Sequence, residues 1–165
     1  MIGNLFIHLV SYSIPIGLMC LMWKINARRW TRLARAYSVV DGTDCVAERT
    51  LQTVILVAGD IGWNSYKGIA TVGVTREGIS LQLMAPFSLF HPPLLFPYRD
   101  SHVEPRRWFL IGKSFEYTLS GVSDVRMIVD GDLQNWIESQ VASLATAPAG
   151  TQIYDGGRAS IQTTA

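Results

Sequence analysis

Acidic residues are missing from the first 40 positions of this 165-residue chain, and residues 2 to 23 carry no charge of either sign. Only 16% of the residues are charged against 48% hydrophobic, and the mean hydropathy is +0.21. Composition of this kind excludes a disordered chain. The length accommodates one domain with a real core, or a smaller domain plus a membrane segment, but not two large catalytic domains.

The chemistry of metal and redox sites is equally sparse. There are two cysteines, Cys20 in the apolar run and Cys45 beyond it, in a topology that keeps them apart. The residues before Cys20, IGLM, lack the small residue expected ahead of a lipoprotein cysteine. No Cys or His spacing suggests zinc, and Gly59 to Gly62 and Gly156-Gly157 lack the strand-to-helix context of a phosphate loop. His91 or His102 with Ser88, Ser101, Asp100 or Asp124 would make a hydrolase only on paper, so ordinary loop histidines are expected. The expectation is therefore no catalytic residue, no metal and no cofactor. Asp130 and Asp132 stand where a helix begins and need no further role.

What the N-terminus does hold is apolar. As a helix, residues 2 to 23 would reach roughly 33 Å, against a hydrocarbon core of about 30 Å. A cleaved signal peptide would want basic residues before the apolar run, and a core helix is rarely apolar all round for six turns. The sequence thus predicts a transmembrane anchor over 2–23, kinked at Pro15. Lys24, Arg28, Arg29, Arg32 and Arg35 follow it, and the positive-inside bias predicts an N-terminus outside and a cytoplasmic domain at the cell (inner) membrane.

Residues 24–49 read as a basic juxtamembrane helix and linker. Trp30, Leu33, Ala34 and Tyr37 fall at i, i+3, i+4 and i+7 over 28–37. Trp23, Lys24, Arg28, Arg29, Trp30, Arg32 and Arg35 are the candidates for a membrane surface. Packing of Trp30, Leu33 and Tyr37 on the domain is the simpler reading of the aromatics. From residue 38 onward nine basic groups face 13 acidic ones, so no nucleic acid is expected.

From Thr50 the periodicity turns to two. TLQTVILVA, GIATVGVT, ISLQLM, LLFPY, RRWFLIG, SFEYTLS and VRMIV read as seven strands, with hairpins around Arg76 to Gly78 and Gly112 to Ser114. DLQNWIESQVASL then places Leu133, Trp136, Ile137, Val141 and Leu144 on one stripe, with Asp130 or Asp132 as N-cap. The domain is set at 50–145, and 146–165 is expected to be a disordered tail.

Seven short antiparallel strands closed by one helix give an α+β, mainly β barrel or bent sandwich whose helix plugs one end. With Tyr66 to Pro105, the Trp30, Leu33, Ala34, Tyr37 pattern, the Val74, Gly78, Ile79, Leu81 strand pair and His91 to Tyr98, the chain resembles PH-like (GRAM-like) domains. In particular it is similar to uncharacterised short bacterial single-pass membrane proteins that carry one. That resemblance covers roughly residues 30 to 144 and implies a fold and a placement, with no active site to carry over. The basic cluster of phosphoinositide-binding PH domains is missing here, since the first hairpin turn has only Arg76 beside Glu77.

APFSLFHPPLL, residues 85 to 95, is the remaining surface candidate. Its apolar side chains and three prolines suit either a lip that meets a partner or lipid, or a cap on the core. Phe87, Leu89, Phe90, Arg106 and Arg107 are the candidate partner- or lipid-binding residues. The expected function is a membrane-anchored cytoplasmic PH-like binding or scaffolding module engaging a membrane-associated protein. The alternative is anionic-lipid recognition through the basic collar and the Pro-rich loop.

Overall fold

The computed structural model describes residues 2–39, 44–108 and 112–146, with side chains except at 2–10, 12 and 108. Two helices lead, α1 (Ile2–Asn26) and α2 (Arg28–Tyr37). Seven strands follow: β1 (Ala47–Ala58), β2 (Gly62–Val74), β3 (Gly78–Leu83), β4 (Leu94–Pro97), β5 (Ser101–Trp108), β6 (Gly112–Leu119) and β7 (Val122–Asp130). A short 3-10 turn (Tyr98–Asp100) joins β4 to β5, and α3 (Gly131–Thr146) ends the described chain.

The strands form one antiparallel sheet in the order β4-β3-β2-β1-β7-β6-β5. Short turns join β1 to β2, β2 to β3 and β6 to β7, while residues 84–93 make the longer connection from β3 to β4. At the β2–β3 hairpin the Thr75 hydroxyl accepts from the amides of Glu77 and Gly78. Gly78 is needed there because a Cβ would run into the Phe96 carbonyl on β4. The expected strand around Arg106 starts earlier, at Ser101, with His102 opposite Thr118 and Glu104 opposite Glu116. Pro105 sits within it because β5 is an edge, where a missing N–H costs no ladder bond. Strand β2 also starts earlier than its alternation suggests, at Gly62. A bulge explains this: the β1–β2 register shifts between Gln52 and Val54, while Leu51 and Gly68 take positive φ.

The sheet bends around one core. Val54 and Leu56 of β1, Leu81 of β3, Phe96 of β4, Tyr117 of β6 and Val129 of β7 share a single cluster. Helix α3 adds Leu133 and Ile137 to it, and Asp130 caps the helix by accepting from the Leu133 amide at 2.8 Å. Helix α2 closes another side with Trp30, Leu33 and Tyr37. The Tyr37 hydroxyl oxygen accepts from the Gly121 amide at 2.8 Å, and Ser38 bridges to Leu94 on the β4 edge.

The expectation of an N-terminal transmembrane helix is corrected. Among the described residues no helix is long and apolar enough to cross a membrane. Helix α1 runs from Ile2 to Asn26, but its side chains are described only at Ser11 and from Ser13 onward. Within α1, Ser11, Ser13 and Pro15 interrupt the apolar run before it ends at Lys24 and Asn26. The single-pass assignment therefore falls, and with it the inner-membrane location with a cytoplasmic domain. What stands of the expected fold is the seven-stranded antiparallel sheet and its C-terminal helix. The expected tail lies outside the described residues from 147 onward.

Candidate functional site

The residues that sequence reasoning picked out at the N-terminus and in the Pro-rich loop meet at the junction of α1 and α2. Ala27, buried, links the helices: its amide donates to the Trp23 carbonyl at 3.0 Å, and its own carbonyl accepts from the Thr31 amide at 2.8 Å. Trp23 and Trp30, seven residues apart on the two helices, are both turned toward the loop that precedes β4.

Both tryptophans hold the loop. The Trp23 indole N–H donates to the Leu89 carbonyl at 2.9 Å, and that of Trp30 to the Pro92 carbonyl at 2.8 Å. Between them lies His91, buried, with its ring centroid 5.2 Å from each indole and 5.6 Å from Tyr66. His91 Nδ1 lies 2.8 Å from the Leu89 carbonyl and Nε2 3.4 Å from the Tyr66 hydroxyl. Both contacts suit the neutral ring, with Nδ1–H donating and Nε2 accepting. Burial pushes His91 below the usual histidine range and Tyr66 up to about 12.

While its base is pinned, the loop turns Leu89 and Phe90 outward and sets the Phe87 ring 5.5 Å from Trp23. Residues 84 to 90 are all exposed, Leu89 by 58% and Phe90 by 49%. They do not cap the core; Leu94 and Phe96 do. Phe90 adopts φ 65°, a left-handed conformation rare for an aromatic residue. Helix α1 continues the apolar surface with Ile14, Ile16, Leu18, Met19, Leu21, Met22 and Ile25, all exposed. The two meet in a groove of about 740 Å³ walled by Leu21, Ile25, Phe90 and Pro92, with Lys24, Arg28 and Arg35 along its rim.

The basic collar divides by role. Arg29 is buried and donates to the Gly62 carbonyl at 3.0 Å and to the Ile61 carbonyl, tying α2 to the start of β2. Arg32 pairs with Asp60 and, at 2.5 Å, with Asp124, and its guanidinium holds the Asp60 carboxyl below the usual range. Trp30 has no exposed surface. Among the described residues no ion pair engages Lys24, Arg28 or Arg35. Arg106 is paired at 2.7 Å with Glu116, which also meets Arg126 at 3.0 Å, and Arg107 lies opposite Lys113. Both stand on β5 and contribute nothing to the groove.

Among the described residues neither His91 nor His102 is hydrogen-bonded to a serine, threonine or cysteine side chain. His102 is exposed beside Glu104 at 3.2 Å, and the Ser101 hydroxyl donates to the Pro97 carbonyl. Among the described residues no three His, Cys, Asp or Glu side chains gather as metal ligands. A second cleft, about 350 Å³, lies between α3 and the sheet. There the Tyr117 hydroxyl donates to Gln134, and Gln134 in turn donates to Glu138 at 2.8 Å. Sequence reasoning missed the partnership of Trp23, Trp30, Tyr66 and His91, for which the seven-residue spacing of the tryptophans was the available signal. Comparison with protein-family models, with curated proteins and with solved structures finds no match to this chain.

Proposed function

We propose that this chain is a protein-binding module of PH-like architecture, whose sheet domain presents α1 and the 84–90 loop to an apolar helical segment of a partner protein. One observation carries the reading: an apolar surface, from Ile14 to Ile25 and on through Phe87, Leu89 and Phe90, is exposed among the described residues. Patches larger than a few hundred Å² are rare on proteins that have no partner. The order of strands with a closing helix supports the PH-like part of the reading.

The test is photocrosslinking in cells from the full chain, with a benzophenone amino acid at Leu18 or at Phe90 and a control at Lys113 on β6. Adducts from Leu18 and Phe90 to the same polypeptide, lacking at Lys113, are the expected result. Label recovered in phospholipid, or no adduct above the control, overturns the reading; the first of these would favour anionic-lipid recognition instead.

A further inference from the structure

We infer that the segment seated along α1 and α2 is a helix whose apolar stretch runs into an acidic flank, an inference that rests on the protein-binding reading above. Because Leu21, Lys24 and Ile25 of α1 and Arg28 and Arg35 of α2 border one groove, one stripe can be followed across both helices. Its first part is Ile14, Leu18, Leu21 and Ile25, spaced by three and four residues, and its second part is Arg28 and Arg35 with Lys24 alongside. The apolar part, Ile14 to Ile25, and the basic part, Lys24 to Arg35, each extend roughly 16 Å.

Charge decides the occupant. Arg32, which also lines the groove, already has two carboxylate partners in Asp60 and Asp124. Lys24, Arg28 and Arg35 have no such partner among the described residues and border an apolar groove. A purely apolar segment laid there would strip water from these cations without replacing it, which is costly. A second copy of the chain offers no remedy. Its residues 1 to 40 contain no Asp or Glu, so pairing the stripes sets arginine against arginine or arginine against leucine. A partner helix with carboxylates spread over about three turns, adjoining an apolar stretch of similar length, satisfies both halves at once. Phe90 and Pro92 form the lateral wall that would set its register.

The experiment compares three full chains carrying the Leu18 photocrosslinker: wild type, Arg28→Glu/Arg35→Glu and Arg28→Lys/Arg35→Lys. Arg28 and Arg35 are exposed, so unchanged thermal unfolding is expected of all three. In parallel, a carbodiimide is applied to the wild-type chain to join the Lys24 amine to any carboxylate in contact with it. The expected result is an adduct yield about tenfold lower in the double glutamate chain and retained in the double lysine chain. An amide should also form between Lys24 and an Asp or Glu of the same polypeptide that Leu18 labels. An undiminished Leu18 adduct in the glutamate chain, or no Lys24 amide in the wild type, overturns the acidic flank while leaving the protein-binding reading in place. Loss of the Leu18 protein adduct from the wild-type chain itself overturns both.

Discussion

Replacing Trp30 by Phe tests whether the α1–α2 junction holds the Pro-rich loop. Trp30 is 0% exposed, and its indole N–H is the donor to the Pro92 carbonyl at 2.8 Å. Phenylalanine keeps most of the ring but leaves that carbonyl without its donor, a loss of about 1–3 kcal/mol. The missing atoms leave a void of roughly 40 Å³, worth about 1 kcal/mol at about 24 cal/mol per Å³. The edge-on contacts with Tyr66 at 5.4 Å and His91 at 5.2 Å survive in weakened form. The expected destabilisation is thus about 2–4 kcal/mol, or a fall in Tm of roughly 5–15 °C for a chain of this size. Trp30→Ala would cost about 5 kcal/mol or more, a large share of an ordinary domain's stability. Trp23→Phe should cost under about 1 kcal/mol, because its bond to Leu89 is exposed to water. Urea unfolding followed by circular dichroism reads all three. A Trp30→Phe chain within about 0.5 kcal/mol of wild type would show that neither the burial nor the Pro92 bond holds the loop.

Two further predictions concern other charged and titratable groups. Burial holds the folded His91 below its usual pKa, so on acidification the unfolded chain takes up a proton first. Stability is then full above about pH 6.5 and declines as pH falls toward the folded value, no faster than about 1.4 kcal/mol per pH unit. His91→Asn, able to keep the donor to Leu89, should flatten urea midpoints measured between pH 7 and 5.5; an unchanged slope would refute the assignment. Glu116 is 8% exposed in its side chain and bridges Arg106 on β5 and Arg126 on β7. Glu116→Gln should destabilise by about 1–2 kcal/mol, toward the low end because both arginines can turn to water. A Glu116–Arg126 double-mutant cycle should give a coupling near 1 kcal/mol, and additivity would refute the bridge.

Elements whose signal is local were legible in the sequence. The spacing of Trp30, Leu33 and Tyr37 identifies α2 and its buried face, because each of these side chains packs on the sheet as the stripe requires. Leu133 and Ile137, with Asp130 ahead of them, mark α3 and its cap in the same way. The beginnings of β2 and β5 were not legible. Asn64, Ser65 and Lys67 break the apolar alternation ahead of the Gly68 bulge, and edge strand β5 carries charges and Pro105 in place of a buried face. Within the site, the apolar character of Phe87, Leu89 and Phe90 could be read, but not that the fold exposes it. That outcome depends on Trp30 meeting Pro92, 62 residues away, and no window of periodicity spans such a distance. Residues 2 to 23 illustrate the same limit: hydropathy reports that a surface needs covering and is silent on what covers it.

The conformation of Phe90 separates a surface shaped for a partner from one that serves the fold. Its neighbours Leu89 and His91 are fixed through the Leu89 carbonyl, which takes hydrogen bonds from both Trp23 and His91, and Pro92 is fixed by Trp30. Held from both sides, Phe90 stays at φ 65°, a conformation that disfavours an L-residue by roughly 1–2 kcal/mol. A loop ordered in advance spares the partner that ordering cost on docking. Phe90→Gly should therefore act with opposite signs, raising stability by about 0.5–1 kcal/mol as the strain is relieved while lowering the Leu18 photocrosslink severalfold as the groove loses its wall. Leu51, at φ 59° and 63% exposed on the β1 bulge, has the same backbone strain outside the groove. Leu51→Gly should give the same gain in stability with no change in crosslinking. If Phe90→Gly instead destabilises the chain by more than about 1 kcal/mol, as loss of a packed aromatic side chain does, the ring supports the fold and the docking role of the loop is refuted.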